Sequence, residues 1–418
     1  MTVHANQLAG LAAAIERVRR FDAPADAALG AFFRAHPTMG QRDRAFIAEG
    51  AFAYLRRKRS LDALAATADP RHLALAVAAR DLGYSLRDLS PAMRGDDAAW
   101  LTAFRSRTQT PLPPPVAAEL PDWLFARFET IYGETESAAL ARALQSPAPI
   151  DLRVNPLKTT REHALDALRA EGLDAVATPH ALLGIRIAGR PSLVRHPWLV
   201  DGRLEVQDEG SQLIGQLVAP RRNDMVVDFC AGAGGKTLLL GALMRSQGRL
   251  YAFDVVAKRL HKLTPRLARS GLSNVHPQVL AHERDAKVKR LAGKIDRVLV
   301  DAPCTGFGTL RRNPDLKWRQ TPDDLAELVA KQARILAAAA TLVKPGGRLV
   351  YATCSLLPEE NDAIVDDFVA THAQFAPQDA SAELARAGIA LDTGPALRLL
   401  PHRHGCDGFY AAILVREA

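Results

Sequence analysis

Cys304 and Cys354 each follow a short apolar run, in RVLVDAPCTGFG and GRLVYATCSLLPEEN, and Asp301 stands just before the first of them. Apolar runs of that length read as buried strands, and turn-forming residues end both. In an open α/β sheet the ligand crevice lies outside the carboxyl ends of the strands. Two thiols delivered by two strand ends would therefore meet at one site. A thiolate is a strong nucleophile, and a pair suits a reaction in which one sulfur bonds the substrate while the other assists its departure. Asp301 adds a carboxyl that can bond a substrate edge or stabilise a protonated ring nitrogen. The remaining cysteines, Cys230 and Cys406, read as small buried hydrophobes. No two cysteines form a CxxC pair, so neither a structural zinc nor a disulfide scaffold is expected, and no metal is assigned.

A second chemical feature is the turn in MVVDFCAGAGGKTLLL, where Gly232, Gly234 and Gly235 follow a strand and open a helix. Such a turn leaves backbone N–H groups facing a ligand. It is not a phosphate loop of the GxxxxGK[ST] kind, because Cys230 occupies the first glycine position. It is not the GxGxxG dinucleotide turn either, because Thr237 stands at the third glycine. Asp228 ends the strand before the turn, and Asp254 ends the next strand, where an acid can accept from ribose hydroxyls. Asp285, in HERDAKV, is placed to meet an adenine amino group. These carboxylates point to an adenosine-containing ligand without a triphosphate, and S-adenosylmethionine, with its cationic sulfonium and amino group, fits. Paired with two thiols, a methyl donor suggests carbon 5 of cytosine. That carbon becomes nucleophilic once a thiolate has added at carbon 6, and the thiolate must later be expelled.

The elements that would position these groups are legible around them. Strand-like runs MVVDFC, RLYAFDV, a weaker NVHPQVL, RVLVDAP and GRLVYATC alternate with helical stretches, and FYAAILV supplies a late antiparallel strand. The expected fold is α/β, a mostly parallel doubly wound sheet over residues 211–418. Residues 1–110 show helical spacing and no strand signal, so an all-α domain is expected there. The run Arg56, Arg57, Lys58, Arg59 reads as a helix end, and TQTPLPPPV as a stiff linker free of helix. Residues 116–210 read as a small α+β module able to face RNA. The chain has 54 Lys and Arg against 46 Asp and Glu, a formal charge of +8, which suits an anionic partner. No apolar stretch reaches a membrane span and the first residues lack a signal-peptide pattern, so a cytoplasmic protein without a membrane partner is expected.

The motifs DFCAGAGGKT, DAPCTGFGTLRRNPDLKWR and TCSLLPEEN resemble the signatures of the Sun/RsmB-type RNA cytosine-5 methyltransferases, over the chain from about residue 206 to its end. The helical N-terminal region resembles, with weaker motifs, the NusB-like RNA-binding domain of the bacterial ribosomal members. The resemblance implies a Rossmann-like class I methyltransferase domain, S-adenosylmethionine as cofactor, Cys354 as nucleophile and Cys304 as the residue promoting product release. It implies cofactor contacts from Cys230, Ala231, Gly232, Ala233, Gly234, Gly235, Lys236, Asp254, Arg259, Asp285 and Asp301. Basic residues interleaved with an aromatic suit phosphate contact and base stacking, which marks Arg311, Arg312, Lys317 and Trp318 for RNA. The family pattern sets Lys317 and Asp315 near the target base. One departure is that Gly232-Ala233 stands where the family has Ala-Pro, a looser turn. Small-subunit ribosomal RNA is the leading substrate and a monomer is expected. Transfer RNA, a non-catalytic RNA-binding or assembly factor, and an NAD-dependent oxidoreductase are the competing readings.

Overall fold

The computed structural model describes residues 2–189, 191–193 and 195–417. The described residues form two compact units. One comprises Met1–Pro147 together with Leu310–Pro322, and the other Ala148–Thr309 together with Asp323–Ala418. The boundary expected near residues 110–116 thus falls inside the first unit.

The first unit is helical. Its long helix Gln41–Ala65 packs against helices Ala5–Val18 and Pro70–Arg80 around a core that includes Leu8, Leu11, Ile15, Ile47 and Tyr54. Two local expectations change. The basic run Arg56–Arg59 lies inside this helix, not at its end, and Arg57 carries a non-helical backbone (φ −111°, ψ 17°) that kinks it. The proline-rich stretch contains one helical turn, Pro114–Ala117, because proline fits the first turn of a helix, where its missing N–H has no partner to lose. The segment Leu310–Pro322, which leaves the second unit and returns to it, is held by this helical core. Asp315 Oδ2 accepts from the backbone N–H of Ala25 at the start of helix Ala25–Ala35 (3.2 Å). Lys317 Nζ donates to the carbonyl of Arg56 (3.1 Å) and Trp318 Nε1 to that of Leu55 (3.1 Å), next to the kink.

The second unit holds two sheets. Strands β1 (Ile150–Val154), β2 (Ala175–Ala177), β3 (Gly184–Ile187) and β4 (Leu204–Val206) form an antiparallel sheet in the order β2-β3-β1-β4. The larger sheet contains β5 (Met225–Asp228), β6 (Arg249–Asp254), β7 (Val275–Val279), β8 (Ile295–Asp301), β9 (Val343–Thr353), β10 (Phe375–Gln378), β11 (Leu397–Leu399) and β12 (Phe409–Arg416). Its order is β10-β12-β9-β8-β5-β6-β7, with β11 also on β12. Strands β5 to β9 are parallel and β12 is antiparallel to its neighbours, as the sequence suggested. The weak strand signal of NVHPQVL has a physical cause: Pro277 removes one ladder donor, and β7 lies at the sheet edge where that is tolerated. Chain order reverses between β5 and β8, and such a reversal opens a crevice at the strands' carboxyl ends.

Candidate active site

The glycine turn fills one side of that crevice. Gly232 (φ 57°) and Gly234 (φ 84°) adopt left-handed backbone, and a Cβ on Gly234 would stand 2.2 Å from Leu263 Cδ1. Side chains are thus excluded there by both conformation and space. Asp254 fixes the turn from β6: its carboxylate accepts from the N–H groups of Gly232 (2.9 Å) and Val256 (2.8 Å), with Arg259 Nη1 3.7 Å away. Two further arginines hold turn carbonyls. Arg266 Nη1 donates to Ala233 O (2.7 Å) and Arg153 Nη1 to Gly235 O (2.7 Å). Arg266 is itself oriented by Glu205 on β4, so the turn is tied to the small sheet. Arg266 was not singled out from the sequence, and Arg153, read there as one of the small module's residues able to face RNA, is buried and spends its guanidinium on the Gly235 carbonyl.

Beneath the turn, Asp228 is buried, accepts from Thr237 Oγ1 (2.6 Å) and leaves its Oδ1 without a partner. Burial pushes its carboxyl up to about 7. Lys236 Nζ donates to Asp301 Oδ2 (2.8 Å) and lies 5.5 Å from the centre of the Phe409 ring. Burial of Lys236 disfavours its charge, but the Asp301 carboxylate outweighs this and raises its pKa. Asp301 is thereby held as a fixed acceptor at the end of β8.

A cavity of about 430 Å³ opens beside these groups. Cys230, Asp254, Arg259, Asp301, Cys304 and Cys354 all line it, so the crevice unites the expected thiols with four of the expected cofactor contacts, while residues 231–236 of the turn stand outside its lining. Its walls also include Glu283, Lys331 and Ile335, which the sequence reading missed because no motif marks them. Asp285 is not brought into the lining. Its carboxylate accepts from the N–H groups of Ala281 (2.8 Å) and Lys287 (2.9 Å), capping the short helix Ala286–Arg290. Glu283, two residues earlier, stands in the wall instead.

The two sulfurs meet at 3.3 Å. Hydrogen bonding to Cys354 and burial push the Cys304 thiol well above its ordinary range, so Cys304 keeps its proton and can donate it to the Cys354 sulfur. Burial likewise pushes the Cys230 thiol up, which makes that cysteine a wall rather than a nucleophile. Three backbone segments lock the pair. Gly308 N donates to Cys354 O (2.8 Å), and Gly408 N, from the turn Asp407-Gly408, donates to Gly308 O (2.8 Å). A Cβ on Gly308 would come within 2.1 Å of Gly408 O, so only glycine fits. The Asp407-Gly408 turn thus has an architectural role.

The segment expected to bind RNA is placed differently. Lys317 is buried in the helical unit and Trp318 spends its N–H on that unit's backbone; Arg311 is buried as well. These three side chains are therefore not presented as a free basic and aromatic loop, whereas Arg312 is partly exposed.

Comparison with known proteins agrees with this arrangement. Residues 215–415 match the family described as 16S rRNA methyltransferase RsmB/F, and residues 120–193 match the ferredoxin-like domain of the RsmF/B-like methyltransferases. A Synechocystis protein called a probable ribosomal RNA small subunit methyltransferase B is 37% identical over 298 residues, 70% of this chain and 66% of that protein. A Bacillus subtilis protein of the same description is 33% identical over 69% of this chain and 65% of its own length. The alignments thus span just under two thirds of these relatives. Among solved structures, that of PH0851 matches 100% of both chains with a TM-score of 0.80 at 25% identity. A methyltransferase homologue from Pyrococcus horikoshii matches 73% of this chain and 100% of its own at 28% identity, with a TM-score of 0.62. The paired thiols, the glycine turn and the strand order that brings them together are those of a chain that belongs to the RsmB/F methyltransferase family.

Proposed function

We propose that this protein transfers a methyl group from S-adenosylmethionine to carbon 5 of a cytosine in small-subunit ribosomal RNA. The observation that carries the reading is the 3.3 Å approach of Cys304 and Cys354 within the cavity that Asp254 and Asp301 also line. Asp254, the glycine turn and Arg259 would hold the cofactor, and the carboxylates of Asp254 and Asp301 in the cavity wall suit its positive charge. When bound, the cofactor supplies an electrophilic methyl group.

The chain's own residues perform the rest. Cys354, as thiolate, forms a bond from sulfur to carbon 6, and the ring's electron pair moves to carbon 5, which takes the methyl group. Asp301, oriented by Lys236, accepts from the base edge and stabilises the proton on the ring nitrogen. Release requires loss of the carbon-5 proton to water, return of that electron pair to the ring, and departure of Cys354 with the electrons of the carbon–sulfur bond. Cys304, holding its proton, donates a hydrogen bond to the departing sulfur and lowers the cost of its negative charge. A target cytosine inside a helix would have to be flipped out to reach the cavity. Arg312 stays in this reading as an RNA contact; Arg311, Lys317 and Trp318 act by building the helical unit.

The test is methyl transfer from S-adenosylmethionine onto unmodified small-subunit ribosomal RNA, with mass spectrometry of the digested nucleosides. The expected product is 5-methylcytidine at one position. Methylation of transfer RNA alone would move the substrate, and a methyl group on any other atom would overturn the reading.

A further inference from the structure

Glu360 lies outside the cavity, yet its buried carboxylate connects the loops that carry both thiols. One oxygen, Oε1, accepts from Thr305 N (2.8 Å) and from Gln332 Nε2 (2.9 Å). The other, Oε2, accepts from Thr305 Oγ1 (2.5 Å) and from Ser355 Oγ. Thr305 directly follows Cys304 and Ser355 directly follows Cys354. Gln332, on helix Pro322–Ala340, also donates to Pro303 O (2.9 Å), so the residues on both sides of Cys304 are fastened to one pair of side chains. The peptide of Glu360 is fixed in turn, since Tyr351 on β9 donates its hydroxyl to Glu360 O (2.7 Å). Glu360, Gln332, Thr305 and Ser355 are all at most 1% exposed. A carboxylate with two oxygens and four lone-pair positions is the side chain best suited to gather four donors from three elements.

We infer that Glu360 is the positioning residue that sets the separation of the two active-site sulfurs, by anchoring Thr305 and Ser355 to a single carboxylate. The inference deepens the proposed reaction and rests on it for the role of the thiols, but the separation itself can be measured without RNA. Without this anchor the Cys304 and Cys354 loops would keep their strands and the Gly308–Cys354 backbone bond, but lose the one carboxylate that holds the neighbours of both thiols. Hydrogen bonding from Cys304 to the departing sulfur would then fail before cofactor binding did.

The test uses phenylarsine oxide on the full-length reduced protein. The arsenic bonds two neighbouring sulfurs and releases one water, with no change of oxidation state, so it binds tightly only where two thiols are close. The wild type should bind one equivalent, and Cys304→Ala or Cys354→Ala should abolish this. Glu360→Ala should weaken arsenical affinity at least tenfold while the dissociation constant for S-adenosylmethionine stays within threefold. Glu360→Gln, which keeps the shape and can satisfy the same groups if the two hydroxyls turn to accept, should stay near wild type. If Glu360→Ala does not fold, Thr305→Val combined with Ser355→Ala removes two of the four bonds and decides the matter in the same way. Wild-type affinity in a folded Glu360→Ala or in that double variant would overturn the inference, as would failure of the wild type to bind the arsenical. A protein that shows the expected arsenical pattern but methylates no RNA would instead sink the proposed reaction and leave the positioning role standing.

Discussion

Asp228 shows how burial sets the chemistry of a single side chain. Asp228 has its carboxyl raised to about 7 from an ordinary 3.8, with burial the largest cause. A raised folded-state pKa means that the protonated form is the one the fold favours. Its contribution to stability is complete below about pH 4 and is lost as the pH rises toward 7, a span worth about 4 kcal/mol by linkage. Asp228→Asn should therefore flatten the decline in unfolding free energy between pH 4.5 and 7, measured by urea titration at each pH. An unchanged slope would mean that Asp228 titrates normally. The two cysteines are a different case, because their strand-end positions and convergence at one site were legible while the 3.3 Å separation was not. Their partner contacts depend on Gly308, Gly408 and Glu360; Gly308 and Glu360 lie within the signature motifs, but nothing in the motifs says which groups they would bond.

At the scale of elements, β5, β6, β8, β9 and β12 were legible as apolar runs bounded by turn residues and β7 only weakly, whereas the short β10 and β11 carry no such run and were not read. The glycine turn was legible too, but what stiffens it was not. Arg266 and Arg153 hold the carbonyls of Ala233 and Gly235, a substitute for the rigidity that the family's proline would provide at position 233. Arg266→Ala should weaken S-adenosylmethionine binding about tenfold, close to the roughly 1.4 kcal/mol of one charge-assisted hydrogen bond. Adding Ala233→Pro should recover most of that loss, and calorimetry on the four proteins of the cycle would show it. Additive losses would mean that the two devices act independently. A comparable test applies to Asp315, whose carboxylate caps helix Ala25–Ala35. Asp315→Ala should cost about 0.5–2 kcal/mol of stability.

On the scale of the whole molecule, the division into units was the least legible feature. Leu310–Pro322 reads locally as a basic loop, but its partners are backbone groups 261 to 290 positions away in sequence. No local pattern announces that a lysine will complete a kinked helix. Burial lowers the pKa of Lys317 to about 7 even though Glu119 opposes the shift. A depressed folded pKa contributes stability above the unfolded value near 10.5, and that contribution is lost as the pH falls toward 7. Lys317→Met should therefore remove a rise in stability between pH 7 and 10, opposite in sign and window to the effect of Asp228. The same variant should leave the salt dependence of RNA binding unchanged, since a buried lysine releases no counterion from a phosphate. The central claim is the division of labour between the two thiols, and a covalent trap tests it most directly. Cys304→Ala is expressed in cells, denatured and resolved on a denaturing gel. A nuclease-sensitive RNA–protein adduct is expected, and it should disappear in the Cys304→Ala, Cys354→Ala double variant, while Cys354→Ala alone lowers methyl transfer by roughly four orders of magnitude or more. An adduct formed by Cys354→Ala in place of Cys304→Ala would contradict that division of labour.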